Sequence, residues 1–359
     1  MKRFALIGGL CTFFLLMLRF PNACFAGAAS GLLLWFQTVL PTLFPFLVIT
    51  SLLVQTRAME GISRIIAPVL CPIFRVSRVS SFAILGGFLC GYPVGAKLIS
   101  DLLDNGYISK REGNYLLSFC NNTSPMFVIS YLACQNLHEP RLGIPSLIIV
   151  WFSPVLLSFL FRRIWSVRGS RRANHLTVFR QKGCSRREQM LCKHKESRRE
   201  QTLCKQEKNR REERFDRSQI SGQEASEHSQ QPRTFASALD YSIMSACESI
   251  MKVGGYIIVF SIVLELCRLL PLSGFFWEML CLPSLEITSG IQTLCGASLS
   301  FPMRYSLTLA LVSFGGFCAV FQTQCMVQRH KLSLAAYTLE KLGTAMVSSL
   351  LALIYIYLS

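Results

Sequence analysis

Ten apolar stretches punctuate the chain, and they come in two kinds. Residues 4–20, 31–54, 143–161, 241–266, 305–325 and 335–358 are long enough to cross a bilayer as helices, since about 20 apolar residues cover the ~30 Å hydrocarbon layer. Residues 61–74, 80–103, 115–133 and 275–299 are weaker, broken by Gly, Pro or adjacent polar side chains. The pattern predicts an all-α, polytopic helical membrane protein with broken or re-entrant helices and about eight crossings. At the start, Lys2-Arg3, the run to Leu18 and the small residues Ala23-Cys24-Phe25-Ala26-Gly27 fit either a signal peptide or an uncleaved first helix ending at Pro21. The later spans favour the helix, because insertion does not require cleavage.

Composition sharpens this picture in two respects. Charged residues make up 16% of the chain, well under the ~25% of a soluble domain, so the principal partner is the lipid bilayer. The net charge of +17 resembles a nucleic-acid signal until it is located: residues 162–233 hold 20 of the 37 Lys+Arg and 9 of the 20 Asp+Glu, a local excess of +11. Basic residues next to a span mark cytoplasmic loops, and Arg162, Arg163, Arg168, Arg171 and Arg172 follow one directly. The charge therefore reports topology, and no nucleic acid is implied. Three regions result: a first membrane half (1–161), a basic linker (162–234) predicted disordered and cytoplasmic for want of apolar surface, and a second membrane half (235–359). Within the linker, Ser185-Arg-Arg-Glu-Gln-Met-Leu-Cys-Lys193 recurs as Ser197-Arg-Arg-Glu-Gln-Thr-Leu-Cys-Lys205, the mark of an expanded, tolerated loop. The 15 cysteines form no Cys-x-x-Cys, and three of the five histidines fall in the linker. No metal site, cofactor or disulfide framework is expected.

Chemistry concentrates where the apolar pattern is interrupted. In Gly91-Tyr92-Pro93, Pro93 removes an amide donor and biases Tyr92 away from the helical region. A helix that stops and restarts at membrane depth must line a cavity or lie inside protein. The plainer alternative is a Pro-kinked span. Lys97 follows, although Asp101 stands at i+4 and can neutralise it. Asn121-Asn122-Thr123-Ser124-Pro125 puts four hydrogen-bonding side chains into an apolar run, with Pro125 suited to the first turn of a new helix and Ser124 or Thr123 to its cap. Such a helix start attracts anions; interhelical glue is the alternative. In the second half, Glu286 and Thr288 sit in Leu285-Glu286-Ile287-Thr288-Ser289-Gly290, with Glu286 a proton or cation ligand or a partner for Lys97, and Gln322 and Gln324 add polar groups near Gly315-Gly316. No phosphate loop, metalloprotease helix or nucleophile elbow occurs, so no enzyme is expected.

The halves echo one another, which predicts two repeats with a site at their interface. Residues 85–98 align without gaps on 314–327, placing Tyr92 opposite Phe321 and Pro93 opposite Gln322. Residues 31–52 can be laid over 242–263, with Gln37 opposite Glu248.

Several of these stretches carry a family resemblance: Leu40-Pro41-Thr42-Leu43-Phe44-Pro45-Phe46, residues 86–97, the connector 101–112, residues 117–127, residues 285–290, and Gly315-Gly316-Phe317 through Gln322. Together they resemble the sporulation integral membrane protein family of the YlbJ type, whose members carry a nucleoside-recognition or gate domain. The long basic linker and its duplication lie outside that pattern. The resemblance implies two gate-type repeats related to concentrative nucleoside transporters, in an endospore-forming bacterium. It further implies a protein of the outer forespore membrane that moves dipicolinic acid out of the mother cell. Dipicolinate is a small planar dianion. Helix starts at Pro93 and Pro125, the amides of Asn121 and Asn122, and Lys97 would bind its carboxylates while Tyr92 stacks on the ring. Competing readings are a nucleoside or other metabolite carrier, and a non-transporting scaffold for cortex formation. Homo-oligomers or other sporulation membrane proteins are the expected protein partners.

Overall fold

The computed structural model describes residues 2–164, 234–272 and 274–358. The linker expected to be disordered and cytoplasmic, with its duplication, lies almost wholly outside the described residues. Among these residues all regular structure is helical.

The chain starts with α1 (Lys2–Arg19) and α2 (Pro21–Leu34), separated at Phe20 where Pro21 opens the second helix. A π turn, Trp35–Val39, leads without interruption into α3 (Leu40–Gln55). The turn precedes Pro41, which has no N–H to donate to the preceding turn; the wider i→i+5 bond from Leu40 N to Trp35 O accommodates it. Next come α4 (Met59–Phe74), α5 (Ser80–Cys90), α6 (Val94–Asp104) and α7 (Lys110–Cys120). A π-helical segment (Phe127–Asn136) and α8 (Gly143–Ile164) close the first half. In the second half α9 (Phe235–Arg268) is followed by a π turn (Trp277–Cys281), α10 (Ile287–Gly296), α11 (Phe301–Phe314), α12 (Gly316–Val327) and α13 (Leu334–Leu358).

Five helical stretches among the described residues are long and apolar enough to cross a membrane: Pro21–Gln55, Pro140–Phe161, Phe235–Arg268, Phe301–His330 and Leu334–Leu358. This is an integral membrane protein. The count falls below the expected eight because α4 to α7 and α10 have 10 to 16 residues, about 15–24 Å at 1.5 Å per residue. They do not reach across the bilayer alone.

Polar glue and small residues hold the spans together, as expected where lipid removes the hydrophobic drive between helices. On α11, Ser313 meets Ser348 of α13 at 2.5 Å, and Ser348 donates to Ser153 of α8 at 2.8 Å. Ser306 meets Ser349 at 2.6 Å, and Ser146 meets the Tyr305 hydroxyl at 3.0 Å. At the other side, Gly27 and Gly31, spaced i,i+4, bring α2 onto the backbone of α9. A Cβ at Gly31 would lie 2.9 Å from Ile258 Cα, and one at Gly27 2.8 Å from Ile262 Cα. Trp35 completes that contact by lying over Gly254 and donating its indole N–H to the Ile250 carbonyl at 3.0 Å. At the centre lies α6, whose Val94, Ala96, Leu98, Ile99 and Leu102 are all fully buried.

The two halves do echo one another, in a different register for the earlier segment. The π turn Trp35–Val39 and its Leu40-Pro41 match the π turn Trp277–Cys281 and its Leu282-Pro283, each closed by the leucine N–H on the tryptophan carbonyl. Laying residues 31–52 over 242–263 misses this, because that stretch lies inside the unbroken helix α9. Gly86 and Gly87 are likewise helical, so the first break comes at Gly91 and not opposite Gly315.

Candidate functional site

Four helix interruptions meet near the middle of the protein. The first separates α5 from α6 at Gly91-Tyr92-Pro93. Gly91 takes φ 81° and ψ −174°, a conformation that a side chain would strain, and the Tyr92–Pro93 peptide is cis. The second is the extended stretch 121–124 between α7 and the next helix. These two cross, and the crossing is tied through the main chain: Tyr92 N–H donates to the Asn122 carbonyl at 2.7 Å.

The second half repeats the arrangement. Its third interruption, at residues 284–286, precedes α10. The fourth is the left-handed pair Gly315 and Gly316, with φ of 87° and 78°, where α11 becomes α12. Again the chains join through peptide groups, Phe317 N–H to Ser284 O at 2.7 Å and Cys318 N–H to Leu285 O at 3.0 Å. The crossings then touch one another. A Cβ on Gly315 would lie 3.2 Å from the ring of Tyr92, so the aromatic ring occupies the space that this glycine leaves. Thr123 Oγ1 donates to the Val312 carbonyl at 2.7 Å, and Tyr131 OH to the Thr288 carbonyl at 3.1 Å.

Asn121 is the hub. It is fully buried, accepts the Ala96 N–H on Oδ1 at 3.3 Å, and donates from Nδ2 to Thr323 Oγ1 at 2.8 Å and Tyr337 OH at 2.9 Å. One side chain thus links α6, α12 and α13. Asn122 turns its amide N–H to the Phe119 carbonyl at 2.5 Å and its Oδ1 to Lys341 Nζ at 2.8 Å. Lys341 is 1% exposed, in the middle of the protein, and its amino group also lies 5.8 Å from the centre of the Tyr337 ring.

The expected site residues therefore divide. Gly91, Tyr92, Pro93, Asn121, Asn122 and Thr123 come together at the first crossing. Ser124 accepts the Phe127 N–H on Oγ at 3.4 Å, the geometry of an N-cap with Pro125 in the first turn. Lys97 stands apart, paired with Asp101 at 2.5 Å one turn further along α6. Glu286 caps α10, accepting Thr288 N–H at 3.0 Å and Ser289 N–H at 2.8 Å; it does not pair with Lys97. Gln322 donates to Cys318 Sγ at 3.2 Å within its own helix, and its neighbour Thr323 makes the contact to Asn121. Two amides in the first turn of α6 are occupied as well, Gly95 N–H by the Gly91 carbonyl and Ala96 N–H by Asn121 Oδ1.

Thr323, Tyr337 and Lys341 were not singled out by the sequence. For Lys341 a signal existed: an ionisable residue inside an apolar run is a functional candidate by default, but residues 335–358 read as a plain span. Among the described residues no cluster of three or more His, Cys, Asp or Glu is placed to hold a metal ion.

Comparison with known proteins finds matches to part of the chain. The Gate family, described as nucleoside recognition, matches residues 36–160. The sporulation integral membrane protein YlbJ of Bacillus subtilis (strain 168) is 34% identical over 124 residues, 34% of this chain and 30% of that protein. The chain thus aligns with about a third of the curated relative's length. No solved structure matches.

Proposed function

With a YlbJ-type family supported by these matches, we propose that this chain is a transporter that carries a small polar solute through the paired helix crossings. The solute proposed is dipicolinate, moved from the mother cell across the outer forespore membrane. The observation that carries the reading is the convergence of four broken helices on one buried polar centre containing Tyr92, Asn121, Asn122, Thr123 and Lys341. Irregular backbone at membrane depth is costly unless it is enclosed by protein or lines a path. Two breaks in each half, joined by peptide hydrogen bonds, give the fold discrete elements able to shift as units about a fixed site.

In this structure the polar groups of the crossing bond to one another. On the transport reading, substrate binding has to replace contacts such as Lys341–Asn122. The same mutual satisfaction supports a second reading, a scaffold of the spore envelope with no solute. Dipicolinate measured in mother cell and forespore fractions decides between them. A strain lacking the protein should retain dipicolinate in the mother cell, and wild type should release it while Asn122→Ala does not. Normal forespore dipicolinate without the protein would sink the dipicolinate reading. A cortex defect with normal solute distribution would select the scaffold.

A further inference from the structure

The helix α4 turns two different edges outward. Met59, Ser63, Ala67 and Phe74 are buried against the protein, while Ile65 and Val69 are 82% and 61% exposed, and Glu60 and Arg64 are exposed as well. At 3.6 residues per turn, Ile65 and Val69 form an apolar edge along the axis, and Glu60 and Arg64 a polar edge on the other side of the outward arc. Sixteen residues span about 24 Å, and arginines stand at both ends of that length. Arg57 comes just before the helix, Arg75 caps it and Arg78 follows, all three exposed. A helix this short, set across the ~30 Å hydrocarbon layer, would carry charge into lipid at one end. Pro68 and Pro72 are also exposed, and neither has an N–H for the carbonyl four residues back, on Arg64 and Pro68. Those carbonyls require water or headgroups, which hydrocarbon does not supply.

Phe161, near the end of α8 and just before Arg162 and Arg163, belongs to the same buried cluster as Met59 and Phe74. α4 therefore sits at the end of α8 from which the basic linker departs. Among the described residues none of Arg57, Arg64, Arg75 and Arg78 is in an ion pair. The acidic groups nearby are Glu60 and Glu112 of α7. Glu112 is buried, its Oε1 accepting Ser77 N–H at 2.7 Å and the Ser80 hydroxyl at 2.6 Å, and the exposed Lys110 and Arg111 stand beside it in the chain. The surface is basic on balance. Arg57 and Arg75 moreover take left-handed backbone, with φ of 59° and 54°, a conformation that glycine adopts at lower cost. A helix with one apolar edge, one polar edge and flanking arginines suits the membrane interface. We propose that α4 rests in the headgroup layer, with Ile65 and Val69 among acyl chains and Arg57, Arg64, Arg75 and Arg78 on the phosphates of anionic glycerophospholipid. The assignment does not depend on the transport reading.

The test titrates the full-length protein in detergent micelles with phosphatidylglycerol and, separately, phosphatidylcholine, reading bound lipid by native mass spectrometry. Wild type should prefer phosphatidylglycerol by about tenfold or more. Each arginine at the lipid surface is worth about fivefold, so Arg64→Gln should weaken phosphatidylglycerol binding by about that factor, while Arg64→Lys should keep most of it. Arg57→Gln combined with Arg64→Gln should weaken it about thirtyfold. Arg141→Gln, at the opposite end of α8, should bind as wild type does. A benzoylphenylalanine placed at Ile65 and irradiated in cell membranes should crosslink to phospholipid. No headgroup preference in wild type, a double variant within about twofold of wild type, or an equal loss from Arg141→Gln would each overturn the proposal. So would a crosslink from position 65 to a second copy or to another protein, which would make α4 a protein-docking face.

Discussion

Replacing Asn121 with alanine tests whether the crossing is held by its hub. Three bonds disappear: Ala96 N–H to Oδ1 at 3.3 Å, and Nδ2 to Thr323 at 2.8 Å and to Tyr337 at 2.9 Å. Side-chain hydrogen bonds between membrane helices average about 0.6 kcal/mol, with a maximum near 1.7, so the two short ones contribute roughly 1–3 kcal/mol. Thr323 Oγ1 already donates to Tyr337 OH at 3.4 Å, and shortening of that bond recovers part of this. Ala96 has no such recourse: its residue is fully buried, and an orphaned buried amide costs about 1–3 kcal/mol. The expected loss is about 2–4 kcal/mol. Measured as an unfolding equilibrium in bicelles, a double-mutant cycle of Asn121→Ala with Tyr337→Phe should give a coupling of about 0.6–1.7 kcal/mol. A total loss below about 0.5 kcal/mol, with no coupling, would refute the hub.

Three further outcomes are expected. Glu286→Gln keeps one of two capping acceptors and should melt close to wild type, whereas Glu286→Ala should lose about 1 kcal/mol; equal losses from both would argue against the cap. In a melting assay Gly31→Leu should destabilise more than Gly255→Leu, because a Cβ at Gly31 meets α9 backbone at 2.9 Å while the space at Gly255 is open. Ser348→Val removes a residue bonded to both Ser313 and Ser153 and should cost about 1 kcal/mol in a melting assay; a neutral Ser348→Val would show that the serine contacts contribute nothing.

Much of the fold was legible in the sequence, for a physical reason. Apolar length and the Gly/Pro interruptions act locally, so the spans, the break at Gly91-Tyr92-Pro93 and the cap at Ser124-Pro125 could be read directly. What crosses between helices could not. Lys97 and Lys341 look alike as isolated letters in apolar runs, and only packing shows that one meets Asp101 and the other Asn122. Gln322 stands out in the sequence as a polar group near Gly315-Gly316, yet it is the neighbouring Thr323 that meets Asn121. Paired glycines attract the eye as a landmark common to the halves, while the local geometry the halves share is a tryptophan-led π turn followed by Leu-Pro.

The spans differ in how much of each is wrapped by protein. In Phe301–His330, 78% of the apolar window is buried within the molecule, against 6% in Pro21–Gln55. The latter can rest in lipid by itself. The former carries two left-handed glycines at its centre, whose freed peptide groups would each cost several kcal/mol against hydrocarbon. Its peptide partners are Ser284 and Leu285 on its own side of the chain, and its side-chain partners include Asn121 and Thr123, made earlier. The broken span is accordingly stable at membrane depth only once its protein partners enclose it, whereas Pro21–Gln55 carries no such requirement.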